Sequence, residues 1–253
     1  MREPGVTGPA PAVDLLEVDL GPGVLAGFTR AGANLSVVVG PGVPDAGRAA
    51  RRSLDARMGV PVAYVEQVHG ADILECAVAP EPGAHVGRAD ALLTTERTVA
   101  VAVLVADCVP VLLADPLAGV VAAVHAGRRG LVAGVVPAAV RAMQVRGADP
   151  RRVRAVIGPS VCGACYEVPD ALRAEVDAAV PGTATTTSWG TPALDLPAGV
   201  RHQLMTCGVT GVVDVGACTL SDDGWFSHRG SVAAPAQRPP GRFAGVVRLL
   251  PTG

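Results

Sequence analysis

Three residues stand where apolar runs of the chain turn polar: His69 in "EQVHG", Cys108 in "VADCVP" and His125 in "AVHAG". They are too far apart in sequence for a local zinc knuckle, but strands ending at one edge of a sheet would bring them together. Two imidazoles and a thiolate form a three-ligand zinc set that leaves a fourth position for water or substrate. Zinc there would lower the pKa of bound water to roughly 7 and make hydroxide available at neutral pH. Read singly, the same residues are equally a core thiol and two hydrogen-bonded histidines, or a metal-free Cys108–His125 nucleophile pair. Asp107, beside Cys108, is an acid inside an apolar run, which is costly unless paired. It would orient a ligand histidine, carry a proton, or close a strand-end turn.

Arg128 and Arg129 follow His125 at once, between Gly127 and Gly130 and ahead of a helix expected from Leu131 to about Arg146. Guanidinium groups beside a helix N-terminus suit phosphate or another anion; the alternative is two solvated arginines on a turn. The segment "GPSVCGACYEV" sets Cys162, Cys165, Tyr166 and Glu167 just after a strand. A lone C-x-x-C fits redox or metal roles, and Tyr166 and Glu167 could contact a substrate. The H-x-E and P-C-x-x-C signatures of zinc deaminases are missing. In "WFSHRG", Ser227 and His228 are adjacent, and neighbours on an extended chain point to opposite faces. With no G-x-S-x-G elbow, a serine triad is not expected. His85 and His202 sit in polar contexts and receive no role.

These residues need a scaffold, and the composition supplies one. The chain has 253 residues, 49% hydrophobic and 17% charged, enough for a well-covered core. A formal charge of −2 and 3% aromatic residues argue against nucleic acid as a partner. There is no lysine, so arginine must bind any anion and Schiff-base chemistry is excluded. The start lacks a signal-peptide pattern, and the longest apolar tract, Val99 to Leu113, is broken by Asp107 and Pro110. The expectation is a cytoplasmic protein with reduced thiols, no membrane association, and a monomeric or weakly dimeric state.

Residues 1–13 read as a flexible arm and 14–253 as one catalytic domain of mixed α/β (α+β) class, a mixed β-sheet covered by helices. Strands are expected at "GVLAGFTR", "VPVAYVEQVHG", "VAVAVLVAD", "VPVLLAD", "GVVAAVHAG", "RVRAVIGPS", "GVVDVGAC" and "GRFAGVVRLL". Helices are expected over "RAARRSLDARMG", stopped by Gly59, over Pro169 to Val180, and from an Asp195 cap to Cys207. "GPGVPDAG" and "TTTSWGTP" read as loops.

The pieces "FTR", "EQVHG", "ADALLTT", "ADCVPVLLAD", "AAVHAGRRGL", "IGPSVCGACYEV", "LDL", "ACT" and "FSHR…GRFAGVVRL" run in order from Phe28 to Leu249. Together they resemble the laccase-domain or YfiH-like family, described as zinc-dependent purine nucleoside phosphorylases and adenosine deaminases and formerly as polyphenol oxidoreductases. The resemblance implies one zinc ion on His69, Cys108 and His125. It also implies phosphorolysis of adenosine, inosine, guanosine or S-methyl-5′-thioadenosine, with phosphate as co-substrate, and deamination of adenosine. Asp107, Cys108 and Arg129 are then the catalytic candidates, and Arg129, Tyr166 and Glu167 the substrate contacts. The alternatives are a copper-dependent polyphenol oxidase and a degenerate member that serves as a binding protein. Two features depart from the family pattern: Arg128 stands where a tryptophan is usual, and the N-terminal segments "FTRAGANLS" and "AARRS" are altered.

Overall fold

The computed structural model describes residues 13–37, 43–81 and 83–252, with positions 43 and 44 as backbone only. The arm read over 1–13 lies outside the described residues except for Val13. At the centre are three Val- and Ala-rich strands, β7 (Ala100–Val105), β8 (Val109–Asp115) and β9 (Val120–Ala126). Every residue of β8 and β9 is buried. Apolar residues without alternation are what a strand covered on both faces requires.

The expected mixed α/β fold is found, but its strands form two stacked six-stranded sheets rather than one. The first runs β1 (Leu15–Glu17), β2 (Val24–Thr29), β14 (Phe243–Leu249), β7, β3 (Val62–Glu66) and β5 (His85–Arg88). The second runs β13 (Gly211–Asp214), β10 (Arg154–Ile157), β8, β9, β6 (Ala91–Thr94) and β4 (Ile73–Glu75). A hairpin of β11 (Ala184–Thr186) and β12 (Pro192–Leu194) occupies part of the segment read as a loop. Both large sheets mix parallel and antiparallel pairs.

The two-residue period of β7 shows how the layers are built. Val101, Val103 and Val105 face the second sheet, with Phe28, Leu112, Val121 and Phe243. Ala100 and Ala102 face the other way, toward Leu54 and Met58 of α1 (Val43–Met58). The far face of the second sheet is covered by α2 (Arg128–Val132), α3 (Val135–Val145), α4 (Asp170–Ala179) and α5 (Leu196–Thr206), through Leu131, Val140, Val176 and Leu204. The last helix is α6 (His228–Ala233). Among the described residues no helix is long and apolar enough to cross a membrane.

Local chemistry sets the helix ends. The Asp195 carboxylate accepts the Ala198 N–H at 2.9 Å and caps α5 as expected. The helix read from Leu131 is instead two, because Gly134 adopts φ 83° and breaks the run between α2 and α3. The α1 helix begins at Val43, inside the segment read as a loop.

Asp115, which ends β8, is a structural acid. Its buried carboxylate accepts the N–H groups of Leu117, Ala118 and Asp149 at 3.1, 3.1 and 2.9 Å and pairs with Arg152 at 2.9 Å. Burial pushes its pKa up, but the Asp149 N–H and Arg152 more than reverse this and hold it below the usual carboxylate value. A depressed folded-state pKa stabilises above the unfolded value, roughly 3.9, and the benefit is lost as pH falls through the folded value. Asp115→Asn is therefore expected to cost about 2 kcal/mol at pH 7 in urea unfolding. The gap to wild type should close as the pH drops below about 4. A gap that widens in acid would contradict this role.

Candidate active site

Strands of both sheets end on one side of the molecule, and the three candidate ligands come from these ends. His69 lies beyond β3 in the first sheet, whereas His125 belongs to β9 in the second. Cys108 sits in the turn that carries the chain from β7 in one sheet to β8 in the other. Their ligand atoms lie within 4.8 Å of one another. The Cys108 Sγ is 3.8 Å from His69 Nε2, and the two imidazoles meet edge to face with centroids 4.8 Å apart.

Two backbone conformations put these side chains in place. His69 and Asp107 are the only described non-glycine residues at positive φ, at 60° and 81°. Such conformations are unfavourable for L-residues and persist where surrounding bonds hold them. Asp107 is held on all sides. Its carboxylate accepts the Thr219 hydroxyl at 2.6 Å and the Arg229 N–H at 2.7 Å, and its carbonyl accepts the Val161 N–H at 3.0 Å. Among the described residues it makes no hydrogen bond to a histidine; it fixes the corner from which Cys108 projects.

The carboxylate that orients a candidate ligand histidine is Asp90, which the residue-by-residue reading did not single out. It is fully buried ahead of β6 and accepts His125 Nδ1 at 2.8 Å. It also accepts the N–H groups of Val68, His69 and Gly70 at 3.2, 2.9 and 2.6 Å. One side chain thus holds the His69 turn and leaves His125 Nε2 free to face the cluster. The signal was available in "RADALL", an acid at the edge of an apolar run, the same pattern that drew attention to Asp107.

The electrostatics favour a thiolate. Burial pushes the Cys108 thiol up, but the His125 and His69 rings more than reverse it and hold it at about 6. Burial likewise pulls His125 down, and Asp90 and Cys108 raise it above the usual histidine range. Asp90 itself is raised by burial and lowered further by His125 and the Gly70 N–H, ending below its usual value.

The donor set fits a zinc-type metal on two grounds. One is its chemistry: a thiolate, an imidazole oriented from behind by a carboxylate, and a second imidazole. The other is the space left for it. Gly127 closes the cluster, and a Cβ there would lie 2.8 Å from His69 Cδ2 and 3.1 Å from Cys108 Sγ.

The cluster opens into a cavity of about 580 Å³. Tyr166 lines it, with the Arg229 guanidinium 4.4 Å from its ring centroid. Arg128 lines it as well, half-buried. Arg129 is exposed and donates to the Val68 carbonyl at 3.2 Å, bracing the His69 turn. Glu167 lines a neighbouring cavity of about 840 Å³, where it accepts the Trp189 Nε1–H at 2.7 Å. His228 and Arg229 form the wall between the two cavities. His85 and the buried Arg51 also reach the first cavity, although neither was assigned a role from sequence.

Residues 23–250 match the family model described as multi-copper polyphenol oxidoreductase laccase. The chain belongs to this family. Among its relatives, the purine nucleoside phosphorylase SCO2081 of Streptomyces coelicolor is 54% identical over 188 residues, covering 74% of this chain and 75% of the relative. The purine nucleoside phosphorylase ORF3 of Streptomyces griseus is 53% identical over 191 residues, 74% of each chain. The crystal structure of YlmD from Geobacillus stearothermophilus shares the fold with a TM-score of 0.79 and 29% identity, over 91% of this chain and 93% of that one.

Proposed function

We propose that this chain is a zinc-dependent purine nucleoside phosphorylase, with deamination of adenosine as an accompanying reaction. The observation that carries the reading is one cavity shared by a His/Cys/His donor set and two available arginines. Among the described residues, neither the Arg128 nor the Arg229 guanidinium donates a hydrogen bond to protein. Relatives that carry the phosphorylase name at over half identity support the same reading.

In phosphorolysis a phosphate oxygen forms a bond to C1′ of the nucleoside as the glycosidic bond breaks. The bonding pair leaves on the base nitrogen, which takes a proton, and the products are ribose 1-phosphate and the free purine. Arg128 and Arg229 would bind the phosphate and hold it in line, since guanidinium groups match phosphate oxygens in charge and geometry. Arg128 faces the cavity, whereas Arg129 spends a donor on Val68, so the anion contact first read for Arg129 is proposed for its neighbour. Tyr166, stiffened by the Arg229 stack, offers a flat wall for the nucleoside. His69, Cys108 and His125 would hold zinc, which supplies Lewis acidity toward a bound substrate atom or water. Asp107 acts through position, fixing the Cys108 corner.

Adenosine, inosine, guanosine and S-methyl-5′-thioadenosine are the proposed substrates. The decisive experiment incubates zinc-loaded protein with adenosine, with and without phosphate, and follows products by chromatography. Adenine and ribose 1-phosphate should form only with phosphate, and inosine and ammonia in either case. Bound zinc with no base and no ammonia released would overturn the reading. Arg128→Ala should raise the KM for phosphate about tenfold to a hundredfold, the value of one or two charge-assisted hydrogen bonds. Oxidation of phenols at several copper ions is less well supported, because among the described residues only two of the five histidines join a donor cluster.

A further inference from the structure

Away from the His/Cys/His cluster, three more thiols converge. Cys162 and Cys165, on the loop after β10, and Cys218, after β13, have sulfur atoms within 4.8 Å of one another. All three are free and half-buried. The sequence showed only a C-x-x-C pair; the third thiol arrives because the chain at Ser160 pairs in parallel with the chain at Cys218.

We propose that Cys162, Cys165 and Cys218 form a second metal site, for a thiophilic cation of the zinc type. Three thiolates on tetrahedral zinc stand about 3.8 Å apart, given Zn–S bonds of about 2.3 Å. A small contraction of the cluster reaches that spacing. The C-x-x-C segment is already folded into a tight turn, with the Cys165 N–H on the Cys162 carbonyl at 2.9 Å. That turn keeps its two sulfurs close together, and Cys218 is brought to them by the neighbouring segment.

The cluster carries one backbone donor of its own: the Cys162 N–H points at the Cys218 sulfur at 3.5 Å. That donor offsets part of the excess negative charge that three thiolates leave on a divalent ion, and the thiol protons pass to solvent on binding. Among the described residues no further histidine, cysteine or carboxylate joins the group, so water would take the fourth position. Access is open: Cys162 lines a cavity of about 240 Å³ and Cys165 lines the one that holds Glu167.

The location suggests a tie and not a second reaction centre. Val161, next to Cys162, donates its N–H to the Asp107 carbonyl, and Thr219, next to Cys218, donates its hydroxyl to the Asp107 carboxylate. A metal joining these two segments would clamp two of the three supports of the corner that carries Cys108.

The test uses the full chain, purified under reductant and loaded anaerobically with excess zinc before desalting. Metal analysis should find about two zinc ions per chain in wild type and about one each in Cys108→Ala and Cys218→Ser. The double variant should hold none, and Cys165→Ser should behave as Cys218→Ser. Cobalt loading of Cys108→Ala should give thiolate-to-metal charge-transfer absorption that Cys218→Ser or Cys165→Ser removes. A Cys108→Ala protein that binds no zinc or cobalt would overturn the proposal. So would binding that both thiol substitutions leave unchanged. Neither outcome depends on phosphorolysis, so the two proposals fail separately.

Discussion

Replacing Cys108 by alanine is expected to remove about one bound zinc per chain and to lower phosphorolysis at least about a thousandfold, some 4 kcal/mol of barrier. Cys108 is the only anionic member of its cluster, and the two imidazoles hold it as a thiolate at neutral pH against the opposing effect of burial. Its loss leaves two imidazoles, a poorer set for a divalent ion. The fold should tolerate the change. The Cys108 sulfur interacts with the His69 and His125 rings of its own cluster, and the corner is set by Asp107 and its three donors. Metal analysis and turnover on protein of near-wild-type Tm check the prediction. Full turnover in Cys108→Ala would show that the reaction needs no metal at this cluster.

Asp90→Asn is expected to act more broadly, because one buried carboxylate serves four donors. Oδ1 accepts from His69 N–H and His125 Nδ1, and Oδ2 from Val68 N–H and Gly70 N–H. An amide has only one oxygen, so its NH₂ group must face either the Val68 and Gly70 donors or those of His69 and His125. Donor would oppose donor at a fully buried carboxylate position, at a cost of about 3 kcal/mol. The His69 turn, held at φ 60° by these bonds, would relax, and His125 would lose the group that fixes its ring. Zinc affinity should fall about 10- to 100-fold, as it does when the outer partner of a ligand histidine is removed. Thermal unfolding and competitive metal titration measure the two effects, and an Asp90→Asn protein with wild-type zinc affinity would exclude the orienting role. Unlike Cys108→Ala, this variant should lose stability together with metal.

The two variants mark how far the site could be read from sequence. Cys108 and His125 were legible because each interrupts a run of Val and Ala, where a polar group must have a partner. Asp107 was legible for the same reason, but its partners were not. The Thr219 hydroxyl and the Arg229 N–H belong to chain more than a hundred residues away. Asp90 carries the same signature and holds the role that Asp107 was considered for. Nothing local distinguishes two acids at strand edges; β6 pairing with β9 does, by setting Ala91 opposite Val124 and so Asp90 beside His125. The arginine pair is a similar case. Arg128 and Arg129 are adjacent and chemically identical, and the direction in which α2 leaves β9 turns one into the cavity and the other onto Val68.

By itself the sequence determined the mixed α/β class, the strands of the centre, the cap at Asp195, the stop at Gly59, and three residue types suited to hold a metal. These follow from composition and from periods of a few residues, which local sterics and solvation enforce. Only the tertiary structure decided that the strands form two sheets, that the candidate ligands arrive from both, that Asp90 stands behind His125, and that Cys218 joins the C-x-x-C pair. Those contacts join residues remote along the chain. They depend on register, on the stacking of one sheet upon another and on the side to which each strand end turns, and none of these is written in the spacing of neighbouring residues.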